Sequence, residues 1–117
     1  MAGAWDGSAT ANWIAAARAR ESGRGDALFV DPWAEALAGK EGFEMLARQE
    51  KASGVSAWIP VRTRFVDDWI RGSFGWVRQV VVLGAGLDTR AYRLGVPEGV
   101  RWFEVDRAGV VASEATP

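Results

Sequence analysis

Residues 79–83, Gln-Val-Val-Val-Leu, form a short β-branched run that breaks into Gly84-Ala85-Gly86 and is followed by the apolar-acidic segment Phe103-Glu104-Val105-Asp106. A run of this kind fits a strand buried on both faces, as in the parallel sheet of an α/β fold. Glycines at 84 and 86 let the backbone turn sharply and approach a ligand that any side chain would exclude. The segment 100–105 reads as the next strand. Its carboxyl end carries Glu104 and Asp106, where an acid can accept hydrogen bonds from ribose hydroxyls. Alternation puts both acids on one face, and Asp106, nearer the strand end, is the better ribose ligand. A bare Gly-x-Gly turn is equally compatible with ordinary strand-to-helix geometry; the acid at the right distance separates the two readings.

The turn continues Gly84-Ala85-Gly86-Leu87-Asp88-Thr89, so the third glycine of the dinucleotide fingerprint is missing. With it goes the close contact that brings a helix dipole against a pyrophosphate. A cofactor without phosphates does not need that contact. S-adenosyl-L-methionine keeps the adenosine and carries a methionine where a dinucleotide has its diphosphate, and is therefore favoured over NAD. Asp88 either caps the following helix or touches the ligand.

Upstream the pattern is helical. Residues 1–7 read as a disordered leader, after which Ser8 or Thr10 caps a helix through Trp13 and Ile14 that Gly23 and Gly25 stop. Leu28 to Val30 is a short extended piece. Asp31 and Pro32 start a brief helix ending at Gly39, a third helix spans 42–51, and Ser53-Gly54 breaks it. A fourth runs from Ser56 or Pro60 to Arg71, and residues 72–75 form the boundary to the strand region. Along the fourth helix, at 100 degrees per residue, Trp58, Val61, Phe65, Val66, Trp69 and Ile70 form one apolar stripe, with Thr63, Arg64, Asp67, Asp68 and Arg71 opposite. Arg64 with Asp68, and Asp67 with Arg71, have the spacing of solvated ion pairs. Arg62 falls inside the apolar stripe. A guanidinium there needs an anionic partner, a salt bridge or a route back to the surface. Arg18 lies near the edge of the first helix's apolar face, and Arg90 and Arg93 read as surface charge.

The chain has no histidine and no cysteine. That excludes Ser-His and Cys-His catalysis, the usual zinc sites and disulfides, and no metal site is expected. Any catalysis would be positional and electrostatic, with no catalytic side chain singled out. A net charge of -1 offers no basic excess to neutralise phosphates, which argues against a nucleic-acid partner. No apolar run reaches the roughly eighteen residues of a membrane span, and a cytoplasmic protein without a membrane partner is expected.

Taken together, Val82-Leu83-Gly84-Ala85-Gly86-Leu87-Asp88-Thr89-Arg90, Phe103-Glu104-Val105-Asp106 and the upstream Val61-Arg62-Thr63-Arg64-Phe65-Val66-Asp67-Asp68 resemble the leucine carboxyl methyltransferase family, in particular its actinobacterial branch. Arg18-Ala19-Arg20-Glu21-Ser22 and Leu28-Phe29-Val30-Asp31-Pro32 are also similar, so the likeness covers residues 8–106 and only the amino-terminal part of that family. It implies an α/β fold in which an N-terminal helical segment, 8–75, is followed by the first β-α-β of a class I, Rossmann-like methyltransferase, 76–106, truncated there, with 107–117 as a tail. It implies S-adenosyl-L-methionine as cofactor and methyl transfer to a carboxylate or another small-molecule oxygen. On the same grounds Arg62 grips the methionine carboxylate with help from Arg18, while Gly84, Ala85, Gly86, Asp88, Glu104 and Asp106 complete the cofactor site. After Asp106 the family continues with a proline and a helix, whereas this chain reads Arg107-Ala108-Gly109 and reaches its last residue at position 117. A two-stranded sheet leaves edges open to self-association. A noncatalytic remnant or interaction module, and a NAD-type dinucleotide binder, stay open as alternatives.

Overall fold

A computed structural model describes residues 7–54 and 56–109. The expected leader, apart from Gly7, and most of the expected tail lie outside the described residues. The order is α1 (Gly7–Ser22), α2 (Ala34–Ser53), α3 (Trp58–Ser73), β1 (Gln79–Leu83), α4 (Arg90–Arg93) and β2 (Arg101–Val105). The fold is α/β, with a two-stranded parallel sheet running in register from Gln79 opposite Arg101 to Leu83 opposite Val105.

Alanine is the strongest helix former, and α1 uses Ala15, Ala16 and Ala17 as a fully buried face against α2. Small side chains bring the two helices close. At Gly42 an added Cβ would stand 2.5 Å from the carbonyl oxygen of Asn12, so the crossing requires glycine there. Asn12 Nδ2 donates to the Leu37 carbonyl at 3.0 Å from the same contact. Gly39, where a brief helix was expected to end, adopts φ 60 and ψ 178 and kinks α2 into two pieces. Gly54 closes it in the left-handed conformation, φ 83, with its amide on the Glu50 carbonyl. The segment Leu28 to Val30, expected to be extended, belongs to no strand.

Two expectations are overturned. The buried face of α3 is Ile59, Thr63, Asp67 and Ile70, almost the reverse of the expected one. Phe65 and Trp69 are each 71% exposed, and Trp58 and Val61 also face outward. The larger apolar face loses because Asp67 finds its ionic partners, Arg90 and Arg93, on the inner side of the helix. The sheet, expected to be buried on both faces, is half-covered. Val80, Val82, Trp102 and Glu104 are partly buried, whereas Val81, Leu83, Phe103 and Val105 on the other face are exposed. The core cluster consists of Ala15, Ala16, Ala17, Ala38, Leu46, Ile59 and Leu87. Neither strand supplies a member of it, so the strand unit is held chiefly through the segment after the glycine turn.

Candidate functional site

The glycine turn joins the carboxyl ends of both strands. Gly84 and Gly86 have φ of 62 and 57, in the left-handed region that only glycine adopts cheaply. The amides of Gly84 and Ala85 donate to the Val105 carbonyl at 2.7 and 3.3 Å. The Gly86 amide donates to Oδ2 of Asp106 at 2.7 Å, and the Arg107 amide to its Oδ1 at 2.7 Å. These two donors, Arg107 first, hold the Asp106 carboxyl below its ordinary pKa. Each carboxylate oxygen keeps acceptor capacity for a hydroxyl.

Leu87 then enters the helical core, and the residues after it build an ionic lattice. Asp67, fully buried on α3, accepts Arg90 Nε at 2.7 Å and Arg93 Nη1 at 2.9 Å. Arg90 also reaches Asp88 Oδ2 at 2.6 Å, and its amide donates to Asp88 Oδ1 at 2.8 Å. Asp88 thus holds the first amide of α4 while also lining the cavity above the turn, and the N-cap itself, Thr89, makes no side-chain capping bond. Asp31, equally hidden, accepts Arg18 Nε at 3.0 Å, the Thr89 hydroxyl at 2.6 Å and the Trp33 amide at 3.1 Å. Arg18 Nη2 donates to the Leu87 carbonyl. The sequence reading missed this lattice: Arg90 and Arg93 are not surface charge, and Asp67 pairs with them and not with Arg71. Arg71 lies 3.7 Å from Asp68 instead, while the expected pair of Arg64 with Asp68 forms at 2.8 Å. A signal existed in the sequence, since Ile59, Thr63, Asp67 and Ile70 also share one helical face.

A cavity of about 510 Å³ opens above the turn, within the range of small-molecule sites. Arg18, Arg62, Gly84, Ala85, Gly86, Asp88 and Asp106 all line it, with Ile14 and Val66 as apolar wall. Glu104 does not line it; its Oε1 is buried and has no hydrogen-bond partner among the described residues. Arg62 stacks on Trp58 with its guanidinium carbon 4.6 Å from the ring centroid and forms no salt bridge with the described residues. Burial, and then the like charge of Arg90, lower its pKa. Arg18, Arg90 and Arg93 spend their charge on Asp31, Asp67 and Asp88. Of these four guanidiniums, Arg62 is the one left to meet an anion in the cavity.

Glycine turn, acid and cavity meet at the carboxyl ends of the parallel strands of this α/β protein, the place where open α/β sheets bind their ligands. The profile of the family described as leucine carboxyl methyltransferase matches residues 11–115. The chain belongs to the leucine carboxyl methyltransferase family. A Streptomyces coelicolor protein is 45% identical over 113 residues, which cover 89% of this chain and 39% of the relative. A Streptomyces avermitilis protein is 43% identical, covering 97% of this chain and 42% of its own length. A third, from Saccharopolyspora erythraea, is 44% identical over 87% of this chain and 38% of the relative. All three are provisionally named as S-adenosyl-L-methionine-dependent methyltransferases. The chain thus spans about two fifths of the length of these relatives.

Proposed function

We propose that this chain carries the first cofactor half-site of an S-adenosyl-L-methionine-dependent methyltransferase with a Rossmann-like sheet, residues 76–106, capped by the helical half, 8–75. The observation that carries the reading is the convergence of Arg62, the turn 84–86 and Asp106 on one cavity. Family membership and the names of the relatives support it.

Asp106, preset by the Gly86 and Arg107 amides, receives the ribose hydroxyls. The cleft at 84–86 admits the nucleoside where a Cβ would intrude, and at Gly84 nothing stands within 4 Å of that position. Arg62, exposed at the cavity mouth and held against Trp58, takes the methionine carboxylate by charge-assisted hydrogen bonds. Arg18 already serves Asp31 and Leu87, so its part is secondary. Bound there, the cofactor supplies an electrophilic methyl on a cationic sulfonium. The chain's task is then to hold the reactants at near-attack distance and keep water out. A carboxylate acceptor is ionised at neutral pH and needs no general base, in keeping with a chain that lacks histidine and cysteine. The acceptor is a carboxylate or other oxygen of a small molecule, met in the cytoplasm, and the open sheet edges favour self-association. Among the described residues no helix is long and apolar enough to cross a membrane.

Calorimetric titration of the folded chain with S-adenosylhomocysteine and with NAD tests the reading. The former should bind, and Arg62→Ala should weaken it roughly tenfold, about 1.4 kcal/mol. Preference for NAD would move the site to dinucleotides. Binding of neither would make the chain a noncatalytic remnant.

A further inference from the structure

The site contains a component that touches no ligand. Asp67 lies on the same helix as Arg62, is 0% exposed and does not line the cavity. It nevertheless holds two cavity-lining arginines from the far side of the turn. Arg90 Nε stands 2.7 Å from its Oδ1, and Arg93 Nη1 and Nη2 stand 2.9 and 3.2 Å from its Oδ2 and Oδ1. Through Arg90 the link continues to Asp88, 2.6 Å away, and so to the residue two positions after Gly86. Through Arg93 it continues to the Thr89 hydroxyl at 2.9 Å, which donates to Asp31 at 2.6 Å. One buried carboxylate thus ties the helix that presents Arg62 to the segment that presents the glycine turn.

We infer that Asp67 is a positioning residue for the cofactor site: it fixes the spacing between Arg62 and the turn 84–86, and so sets affinity for the nucleoside ligand through Arg90 and Arg93. The inference rests on the proposed cofactor reading for its ligand. Its physical ground is that the strands place no side chain in the core cluster, so that, beside Leu87 and the ring contacts of Tyr92 with Trp33 and of Arg93 with Phe29, directed charge-assisted bonds attach the turn segment to the helical half. Such bonds specify geometry more narrowly than apolar contact does, and arginine shared between two carboxylates specifies it most.

The test uses the whole chain, titrated calorimetrically with S-adenosylhomocysteine, as wild type, Asp67→Asn and Arg90→Lys. Asp67→Asn removes the charge that orients both arginines. Arg90→Lys keeps a positive charge but cannot bridge Asp67 and Asp88. A positioning role raises Kd at least tenfold in Asp67→Asn and severalfold in Arg90→Lys, with the binding stoichiometry unchanged. A merely structural role lowers the stoichiometry as molecules unfold and leaves Kd of the folded remainder as it was; that result overturns the inference. If Asp67→Asn does not fold, Arg90→Lys decides by the same criterion. Amide hydrogen exchange on the ligand-free chain separates this inference from the function it rests on. If the wild type binds no S-adenosylhomocysteine, the cofactor reading falls. Positioning then stands if Arg90→Lys speeds exchange at residues 86–93 while Ala15 to Ala17 stay protected, and falls if the two regions respond alike.

Discussion

Gly86 and Asp106 are locked to each other: the glycine amide donates to the aspartate's Oδ2 at 2.7 Å, so the turn after β1 and the end of β2 form one unit without any ligand. The Gly86 amide should therefore report the protonation of Asp106. The Asp106 pKa is lowered from 3.8, by the Arg107 amide first and the Gly86 amide second. A depressed carboxylate stabilises the fold above its unfolded pKa and loses that contribution as pH falls through the lower, folded value. The Gly86 amide resonance should shift in an acid titration with a midpoint below 3.8, and Asp106→Asn should abolish the shift. A midpoint at or above the ordinary value would contradict the bond.

The turn itself should tolerate no side chain. Gly84→Ala and Gly86→Ala place a Cβ at φ 62 and φ 57, which costs about 1–2 kcal/mol each from backbone strain. Gly99→Ala, where the backbone is not left-handed and nothing lies within 4 Å, is the control. Urea denaturation should rank both turn variants well below it.

Helix α3 offers a sharper contrast. Ile59→Ala, in the core, should cost about 2–5 kcal/mol. Phe65→Ser, at a side chain that is 71% exposed, should change stability by no more than about 0.5 kcal/mol. Denaturation of the monomer at low protein concentration measures both. Equal losses would restore the opposite face as the packed one.

Glu50 should carry an acid-range stability increment. Bonds from Arg20, and then from the Ser56 hydroxyl, lower its pKa from 4.5 to about 2. The increment is full above 4.5 and fades toward about pH 2. Because the pair is largely solvated, Glu50→Gln should cost only tenths of a kcal/mol at neutral pH. It should also flatten the pH dependence of the melting temperature across that window.

Legibility in the sequence tracks physical locality. Each strand and the glycine turn is specified by its own few residues, and Asp106 by its place directly after β2, and they form as expected. So do the helix ends at Ser22 and before Gly54, while the end expected at Gly39 takes the form of a kink inside α2. The cavity gathers seven of the eight candidate site residues, all but Glu104. The face of α3 was not readable by apolar count, because the deciding partners of Asp67 lie 23 and 26 residues further along, in Arg90 and Arg93. Pairing over that distance leaves only a weak trace, the shared helical face of Ile59, Thr63, Asp67 and Ile70. Arg62 was read as the odd charge in a core stripe; most of that stripe, Trp58, Val61, Phe65 and Trp69, is outside, yet the arginine lines the cavity without an acidic partner among the described residues.

The placement of the core also bears on how this chain is made. Apart from Leu87, the cluster draws on residues 15–59, all of them synthesised before the strands. Chains fold from the amino end as they leave the ribosome. The helices can therefore collapse on their own hydrophobic contacts and present Asp31 and Asp67 as a finished socket, into which the later arginines plug as they emerge.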